Sequence, residues 1–295
     1  MYKKLIFIAI ILIIIFVMLI YIKGILLYHP MPAVPEKYDK FYQKLLQLAE
    51  TKKYVINTFK KTIDGIMLDT LYIKNPDSQK CIIFFHGNAG NLSMRFDMIK
   101  FLYNYASVII FDYRSFGKST GDSSVLSSNG LQKDAEAIWE YVTVDLNISA
   151  NNISLFGESL GCSIAIYLTA KLSKQMDYSF YPHSLILNAP FYSLSSMIKI
   201  MFEKIKIGFV GKIISLFIGR EYQSDEWINF VNYSTKIIIA HSPRDEIVPY
   251  KEGWNLYNLI AKTHQNVKFV AITGTHNNLG LTDGYIYALA DLFND

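Results

Sequence analysis

The chain is poor in the residues that would indicate a disulfide scaffold or a nucleic-acid-binding surface. Only two of its 295 residues are cysteines, too few for a disulfide framework, and we expect Cys81 and Cys162 to be buried thiols. Only four of the 29 basic residues are arginines and the net charge is +4, which does not favour nucleic-acid recognition. The sequence has no internal repeat and no metal-ligand spacing. We therefore expect no nucleic-acid partner, no metal and no cofactor.

The N-terminus carries a long hydrophobic run. Residues 5–22 are uncharged and apolar, and as a helix they would be about 27 Å long, close to the hydrocarbon thickness of a bilayer. We predict a transmembrane signal anchor over residues 1–23. A cleaved secretory signal peptide is the alternative, although its apolar region is usually shorter. Lys3 and Lys4 favour a cytoplasmic N-terminus, with the rest of the chain on the outer, periplasmic or lumenal side. Three lysines weaken that orientation: Lys23, Lys37 and Lys40.

The pattern after the anchor indicates one α/β domain. Residues 24–50 contain three prolines and then helical spacing, and we predict a linker and a short helix there. About 245 residues remain, which suits a single domain over residues 51–295. Its first two strand-like runs flank Asp64-Gly65, a hairpin signal. Strand-like and helix-like runs then alternate, which predicts a mostly parallel twisted sheet of about eight strands with helices on both faces.

Residues 157–161 read Gly-Glu-Ser-Leu-Gly, a Gly-x-Ser-x-Gly motif centred on Ser159. A strand-like apolar run precedes the motif and a helix-like apolar run follows it, which is the setting of a nucleophile elbow. Such a turn strains the backbone of the serine, and the flanking glycines leave room for neighbouring backbone. The serine hydroxyl then lies at a helix N-terminus, where free N–H groups favour a developing anion. An ordinary glycine-rich turn is the alternative.

Two further side chains follow later strands in the order that a Ser-Asp-His triad requires. Asp245 comes just past an apolar run and lies between two prolines, so we predict that it orients a histidine. Glu246 is adjacent but is expected to point elsewhere, and Asp225 lies in a polar stretch with no strand before it. A solvated loop aspartate is the alternative interpretation of Asp245. Of the six histidines, only His276 lies beyond both Ser159 and Asp245 in a strand-to-helix loop. Catalytic groups gather at the carboxyl ends of strands in open α/β sheets, so we predict the triad Ser159, Asp245 and His276.

An oxyanion hole is predicted beside the nucleophile. The apolar run at 81–85 ends in His86-Gly-Asn-Ala-Gly-Asn, and a turn of this type supplies one backbone N–H to the oxyanion. We assign that donor to Asn88 and the second donor to Leu160, the residue after the nucleophile. His86 is predicted to shape the loop and not to carry a proton.

These motifs resemble those of the α/β-hydrolase superfamily, in the branch of small membrane-anchored α/β-hydrolase-domain proteins that includes protein depalmitoylases. The matching segments lie between about residues 80 and 280 and read F-F-H-G-N-A-G-N, F-D-Y-R-S-F-G-K-S-T-G, G-E-S-L-G-C-S, D-E-I-V-P and G-T-H-N. The resemblance implies the α/β-hydrolase fold and a serine esterase or depalmitoylase-like activity. Ser115 and Ser242 stand where the family usually has glycine, and Asn278 stands where it usually has an acid. These departures leave the predicted catalytic groups in place and bear on loop geometry and substrate preference.

The segment 193–227 departs from the α/β alternation. It is rich in Met, Ile and Phe, and between residues 193 and 220 five basic residues stand against one acid, Glu203. An insertion at this place in the fold forms a lid, which would offer an acyl chain an apolar wall with a basic rim near the membrane. A pair of ordinary amphipathic helices packed on the core is the alternative.

Together, these features predict a serine hydrolase that cleaves carboxylic esters or thioesters, with an apolar acyl group, through an acyl-enzyme. The predicted partners are a small-molecule or lipid-like acyl substrate and membrane lipid. Two alternatives remain open. One is an acyltransferase that uses the same triad, and the other is a non-catalytic, membrane-tethered binding protein, which a missing triad member would have favoured.

Overall fold

The computed structural model describes residues 28–50, 54–175, 177–204, 206–218 and 221–294. The strands are β1 (His29–Pro30), β2 (Val55–Lys61), β3 (Met67–Ile73), β4 (Cys81–Phe85), β5 (Ala89–Gly90), β6 (Ser107–Phe111), β7 (Ile153–Glu158), β8 (Ser184–Asn188), β9 (Lys236–His241), β10 (Val267–Ala271), β11 (Thr273–Thr275) and β12 (Asn278–Gly280). The α-helices are α1 (Pro35–Leu48), α2 (Phe96–Tyr103), α3 (Ser128–Glu140), α4 (Leu160–Ser173), α5 (Leu194–Lys204), α6 (Gly208–Ile218), α7 (Ser224–Trp227), α8 (Tyr250–Ile260) and α9 (Asp283–Asn294).

Eight of these strands form the central sheet, in the order β10-β9-β8-β7-β4-β6-β3-β2. The six strands from β10 to β6 are parallel, and the β2–β3 hairpin adds two antiparallel strands at one edge. Every residue of β4, β6 and β8 is buried, because helices cover both faces of the sheet. The predicted mostly parallel α/β sheet, including its starting hairpin, is therefore confirmed.

Two hydrophobic layers enclose the sheet. Buried side chains of α3, α4 and α8 pack on one face, and those of α1, α2 and α9 pack on the other. Adjacent strands also contact each other through aromatic rings: Phe84 of β4 and Phe156 of β7 pack edge to face, with their ring centroids 4.9 Å apart. The carboxyl ends of β4, β7, β9 and β10 point the same way, so the loops that follow these strands converge on one edge of the sheet.

The segment that precedes the sheet belongs to this packed unit. The predicted linker and short helix of residues 24–50 include α1, which buries Tyr38, Phe41 and Leu45 against the core. Before it, β1 pairs in parallel with β5. The predicted anchor at residues 1–23 lies outside the described residues. Among the residues that are described, none of the helices has both the length and the apolar character needed to cross a membrane.

The predicted lid forms a helical hairpin of α5 and α6. The two helices approach closely at Gly211, where an added Cβ would lie 2.5 Å from the Cβ of Phe202. The start of α5 is tied to α8, because Ser196 Oγ donates a 2.6 Å hydrogen bond to the buried carboxylate of Glu252. Leu194, Met197 and Ile198 are buried. The outer half of the hairpin instead exposes a group of large apolar side chains: Met201, Ile207, Phe209, Ile213 and Leu216.

Candidate active site

The turn between β7 and α4 has the geometry of a nucleophile elbow. Ser159 has φ 54° and ψ −114°, a conformation that a residue with a side chain rarely adopts. Both glycines of the motif are required by close contacts. A Cβ at Gly161 would lie 2.0 Å from the carbonyl oxygen of Phe85, and one at Gly157 would lie 2.6 Å from Cα of Cys162. The turn therefore packs directly against the end of β4.

Leu160 is the first residue of α4, and the side chain of Ser159 makes no capping hydrogen bond to the helix. The first N–H groups of a helix have no partner within the helix, and the helix dipole adds partial positive charge there. The hydroxyl of Ser159 thus does not bond to the helix and lies beside N–H groups that can bind an anion.

The structure brings the three predicted triad residues into contact. Ser159 Oγ lies 3.0 Å from Nε2 of His276, and Nδ1 of the same ring lies 2.8 Å from Oδ2 of Asp245. Because a carboxylate can only accept, Nδ1 carries the proton and Nε2 is left as an acceptor for the serine hydroxyl. His276 is the first of the two turn residues between β11 and β12. The side chain of Asp245 is fully buried, and that of His276 is 10% exposed.

The carboxylate of Asp245 is held in one orientation. Its Oδ1 accepts the backbone N–H groups of Ile247, at 3.0 Å, and of Val248, at 2.8 Å. Burial raises the pKa of Asp245, but the neighbouring rings of His241 and His276 lower it more, so that its pKa lies well below the usual range. Asp245 is therefore ionised at neutral pH with Oδ2 aimed at His276.

Two neighbours that sequence analysis did not assign support this arrangement. Glu246 Oε2 accepts the backbone N–H of His276 at 3.1 Å, so adjacent carboxylates hold the ring and the backbone of the same residue. His241 is buried at the end of β9; its Nε2 donates to the carbonyl of Val248 at 2.9 Å and lies 3.6 Å from Oδ2 of Asp245. Glu246 could have been found from its place beside the acid, whereas nothing in the sequence distinguishes His241 from a core histidine.

Ser242, one of the three departures from the family pattern, joins the loops of the acid and the histidine. Its Oγ donates to the carbonyl of Gly274 at 2.6 Å and accepts the N–H of Arg244 at 3.1 Å. Gly274 has φ +87°, and a Cβ there would lie 2.0 Å from the carbonyl oxygen of Asn278. The Ser242 hydroxyl thereby ties the β11–β12 turn to the loop that carries Asp245.

The loop after β4 lies against Ser159. A Cβ at Gly87 would lie 3.6 Å from Cβ of Ser159, so Gly87 lies beside the elbow, and Asn88 is the next residue of the same loop. His86 is fully buried, donates from Nδ1 to the carbonyl of Gly87 at 2.7 Å and accepts no proton readily, because burial and Arg95 lower its pKa to about 3. Tyr113 donates to the carbonyl of His86 at 3.2 Å. These contacts agree with a histidine that shapes the loop.

The two cysteines, Cys81 and Cys162, are free and buried, as predicted. Burial raises the pKa of the Cys81 thiol, which keeps it protonated and unreactive. Within the described ranges, no group of three or more His, Cys, Asp or Glu side chains is placed to hold a metal ion.

Known proteins share this fold and sequence pattern. A sequence model of the family described as alpha/beta hydrolase fold matches residues 80–199. The uncharacterized protein R595 of Acanthamoeba polyphaga mimivirus is 57% identical over 278 residues, which make up 94% of each chain. Protein bem46 of Schizosaccharomyces pombe is 31% identical over 237 residues, 78% of this chain and 74% of that one. The chain belongs to the α/β-hydrolase family.

Proteins that are named as enzymes are also similar to this chain. The lysophosphatidylserine lipase ABHD12 of Bos taurus is 30% identical over 227 residues, 73% of this chain and 54% of that one. The structure of the Pyrococcus furiosus esterase Pf2001 superposes with a TM-score of 0.62 at 19% identity, over 85% of this chain and 89% of that one, which shows a shared fold. The predicted α/β-hydrolase fold and the predicted class, an enzyme of the serine hydrolase type, are confirmed.

Proposed function

We propose that this α/β-hydrolase cleaves carboxylic esters or thioesters with Ser159 as nucleophile, His276 as general base and Asp245 as the orienting acid. The observation that carries the proposal is the hydrogen-bonded chain from Ser159 Oγ through the His276 ring to Asp245, at 3.0 and 2.8 Å. With its proton on Nδ1, the His276 ring leaves Nε2 able to accept the serine proton. The nucleophile stands at a strained elbow beside free N–H groups.

The reaction follows from these positions. Nε2 of His276 takes the hydroxyl proton as Ser159 Oγ attacks the carbonyl carbon, and negative charge moves to the carbonyl oxygen. The backbone N–H groups of Asn88 and Leu160 stabilise that oxygen, and each donor of this kind is worth about 3 kcal/mol. His276 then gives its proton to the leaving alcohol or thiol, which leaves an acyl-serine. Water that His276 deprotonates attacks this acyl group, releases the carboxylic acid and restores the serine.

The proposed substrate carries an apolar acyl group that the α5–α6 hairpin helps to bind. Phe209 and Leu216 are 70% and 81% exposed, so the outer half of the hairpin does not pack on the core as an ordinary helix pair would. Met, Phe and Ile side chains form an adaptable surface for such a chain. The names of two related proteins, an esterase and a lysophosphatidylserine lipase, describe activities on carboxylic esters or lipids.

We further propose that residues 5–22 anchor the protein in a membrane in a single pass, with the N-terminus in the cytoplasm and the catalytic domain on the outer side. The support is the length of this uncharged apolar run and the two lysines before it. The described chain begins at Tyr28, only six residues after the run ends. Membrane lipid is then the immediate surrounding of the enzyme.

Labelling with a fluorophosphonate probe tests the catalytic assignment, because such probes react covalently with an activated serine. The full-length protein should be labelled and should hydrolyse p-nitrophenyl butyrate, and Ser159→Ala should abolish both reactions. Ser163→Ala is the matched control: this serine lies four residues further along the chain in α4 and bonds to Ser224, and its loss should leave labelling intact. Labelling that persists in Ser159→Ala, or native protein that is not labelled, would refute the proposal. Product analysis with added alcohols separates hydrolysis from acyl transfer.

A further inference from the structure

A short segment near the N-terminus, residues 28–33, pairs with the loop that is predicted to bind the oxyanion. We name residues 28–33 the N-terminal strap. His29 pairs with Ala89 and Pro30 with Gly90 in a parallel bridge, and the N–H of Met31 donates to the carbonyl of Gly90 at 3.2 Å. Ala89 directly follows Asn88, so the strap pairs with the loop one residue after the predicted oxyanion donor.

The side chain of Asn91, in the same loop, also bonds to the strap. Its Nδ2 donates to the carbonyls of Met31 and Pro32, at 3.2 and 3.3 Å. Its Oδ1 accepts the N–H of Ser93 at 3.1 Å and so caps the turn that follows. Asn91 is only 4% exposed. One buried amide thus joins the strap to the segment that runs from Asn88 into α2.

The strap itself is held on its other edge. The N–H of Gly117 donates to the carbonyl of Met31 at 3.0 Å, and the N–H of Ala33 donates to the carbonyl of Gly117 at 3.2 Å. Gly117 packs on the buried carboxylate of Asp112, whose Oδ1 accepts the N–H of Leu92 at 2.7 Å. Hydrogen bonds therefore connect the strap, the loop that contains β5 and the loop of Gly117 to one another.

The first residue of the strap reaches the lid-like segment. The hydroxyl groups of Tyr28 and Tyr222 lie 2.5 Å apart, and both side chains are buried. Tyr222 follows α6 and precedes α7. The strap thus contacts both the segment after the hairpin, through Tyr28, and the loop after β4, through Ala89 and Gly90. Gly87 of the same loop lies beside Ser159.

We infer that the N-terminal strap is a positioning element of the active site, which holds the backbone N–H of Asn88 where the oxyanion forms. The inference rests on the proposed function. An oxyanion donor acts only when it is held in place before the charge develops, and a shift of a fraction of an ångström weakens it. Asn88 lies between two fixed points, Gly87 against the elbow and Ala89 on the strap. Loosening the strap should therefore weaken binding of the transition state and leave binding of the ground-state ester unchanged.

Asn91→Asp separates this role from general stability. The substitution keeps the shape and the acceptor for Ser93, but it replaces the amide donor by an oxygen that faces the carbonyls of Met31 and Pro32. Asn75→Asp is the matched control. Asn75 makes the same kinds of bond: its Nδ2 donates to the carbonyl of Tyr103 at 2.8 Å, and its Oδ1 accepts the N–H of Asp77. Asn75 contacts Ser107 at the start of β6, whereas the candidate active site lies at the carboxyl ends of the strands.

Both variants are made in the full-length protein and assayed in detergent with p-nitrophenyl butyrate, with active sites counted by fluorophosphonate labelling. Per labelled site, Asn91→Asp should lower kcat about 10-fold, a fraction of the loss that follows removal of an oxyanion donor. KM should stay the same, and affinity for a trifluoromethyl ketone, which mimics the tetrahedral intermediate, should fall by the same factor as kcat. Asn75→Asp should retain the native kcat.

Equal kcat per labelled site in Asn91→Asp and native protein, or a rise in KM alone, would overturn the inference. An equal loss in Asn75→Asp would also overturn it, since the effect would then follow from stability. If Asn91→Asp does not fold, Asn91→Ser keeps an acceptor for the following turn, lacks the long amide donor and should show the same loss of kcat. Failure of the proposed function has a different signature, because native protein itself would then be neither labelled nor active.

Discussion

Asp245→Asn should inactivate the enzyme although it changes only one atom of the carboxylate. Oδ1 of Asp245 accepts two backbone N–H groups, from Ile247 and Val248. The amide oxygen of the new side chain must take that place, because an NH₂ group there would face two donors. The NH₂ group therefore points at Nδ1 of His276, 2.8 Å away in the native protein. Nδ1 must then accept a hydrogen bond, and the ring proton moves to Nε2.

The size of the effect follows from this tautomer. With a proton on Nε2, His276 cannot take the proton of Ser159, although the distance of 3.0 Å between Nε2 and Oγ is unchanged. Loss of the base through the wrong tautomer typically lowers kcat by about 10⁴, which corresponds to ~5 kcal/mol of activation free energy. The fold should survive, since the hydrogen bonds to the backbone are retained.

Ester hydrolysis under saturating substrate and the rate of fluorophosphonate labelling measure this loss. Glu246→Gln is the control, because glutamine can still accept the backbone N–H of His276, and it should cost less than about 10-fold. A loss below about 10-fold in Asp245→Asn would refute the reasoning. Equal losses in both variants would indicate that the two carboxylates only hold the loop in place.

Two further predictions concern the substrate and the membrane. Phe209→Asp should lower turnover of medium-chain esters more than that of acetate esters, because each CH₂ group buried on binding contributes about 0.8 kcal/mol to the binding free energy. Val144→Asp is the control: Val144 is about as exposed as Phe209 but follows α3, and its replacement should leave the chain-length profile unchanged. Acetate as the best ester, with all chain lengths equally affected, would contradict an acyl-binding role. The full-length protein should resist extraction by alkaline carbonate through residues 5–22, and recovery of a mature chain trimmed at residues 24–30 would instead show a cleaved signal peptide.

The central sheet could be predicted from the sequence because its signals are local. The run that forms β4 is continuously apolar, and the run Ile153–Phe156 of β7 is apolar except for Ser154. Both runs lead into glycine-containing turns, and strands buried on both faces of a parallel sheet have this pattern. The elbow was recognisable for the same reason. Gly157 and Gly161 are demanded by contacts within a few residues of Ser159 and by the strand beside it.

The N-terminal strap was not recognisable in this way. Pro30 and Pro32 indicated a linker, and proline does indicate extended chain, but nothing local shows where such a chain lies. Its partner loop is 60 residues away at the bond between Met31 and Asn91. The lid-like hairpin is an intermediate case, since amphipathic spacing predicted its helices but could not tell which apolar side chains would remain exposed.

By itself, the sequence determined the order of strands and helices along the chain, and it predicted Ser159 as the nucleophile together with a set of candidate acids and bases. Only the tertiary structure showed that both neighbouring acids contact His276, Asp245 through the ring and Glu246 through the backbone N–H. The physical reason is that strands and helices follow from the spacing of apolar side chains along a short segment. Contacts between loops follow from the register of whole strands, which here joins side chains 117 residues apart at Ser159 and His276.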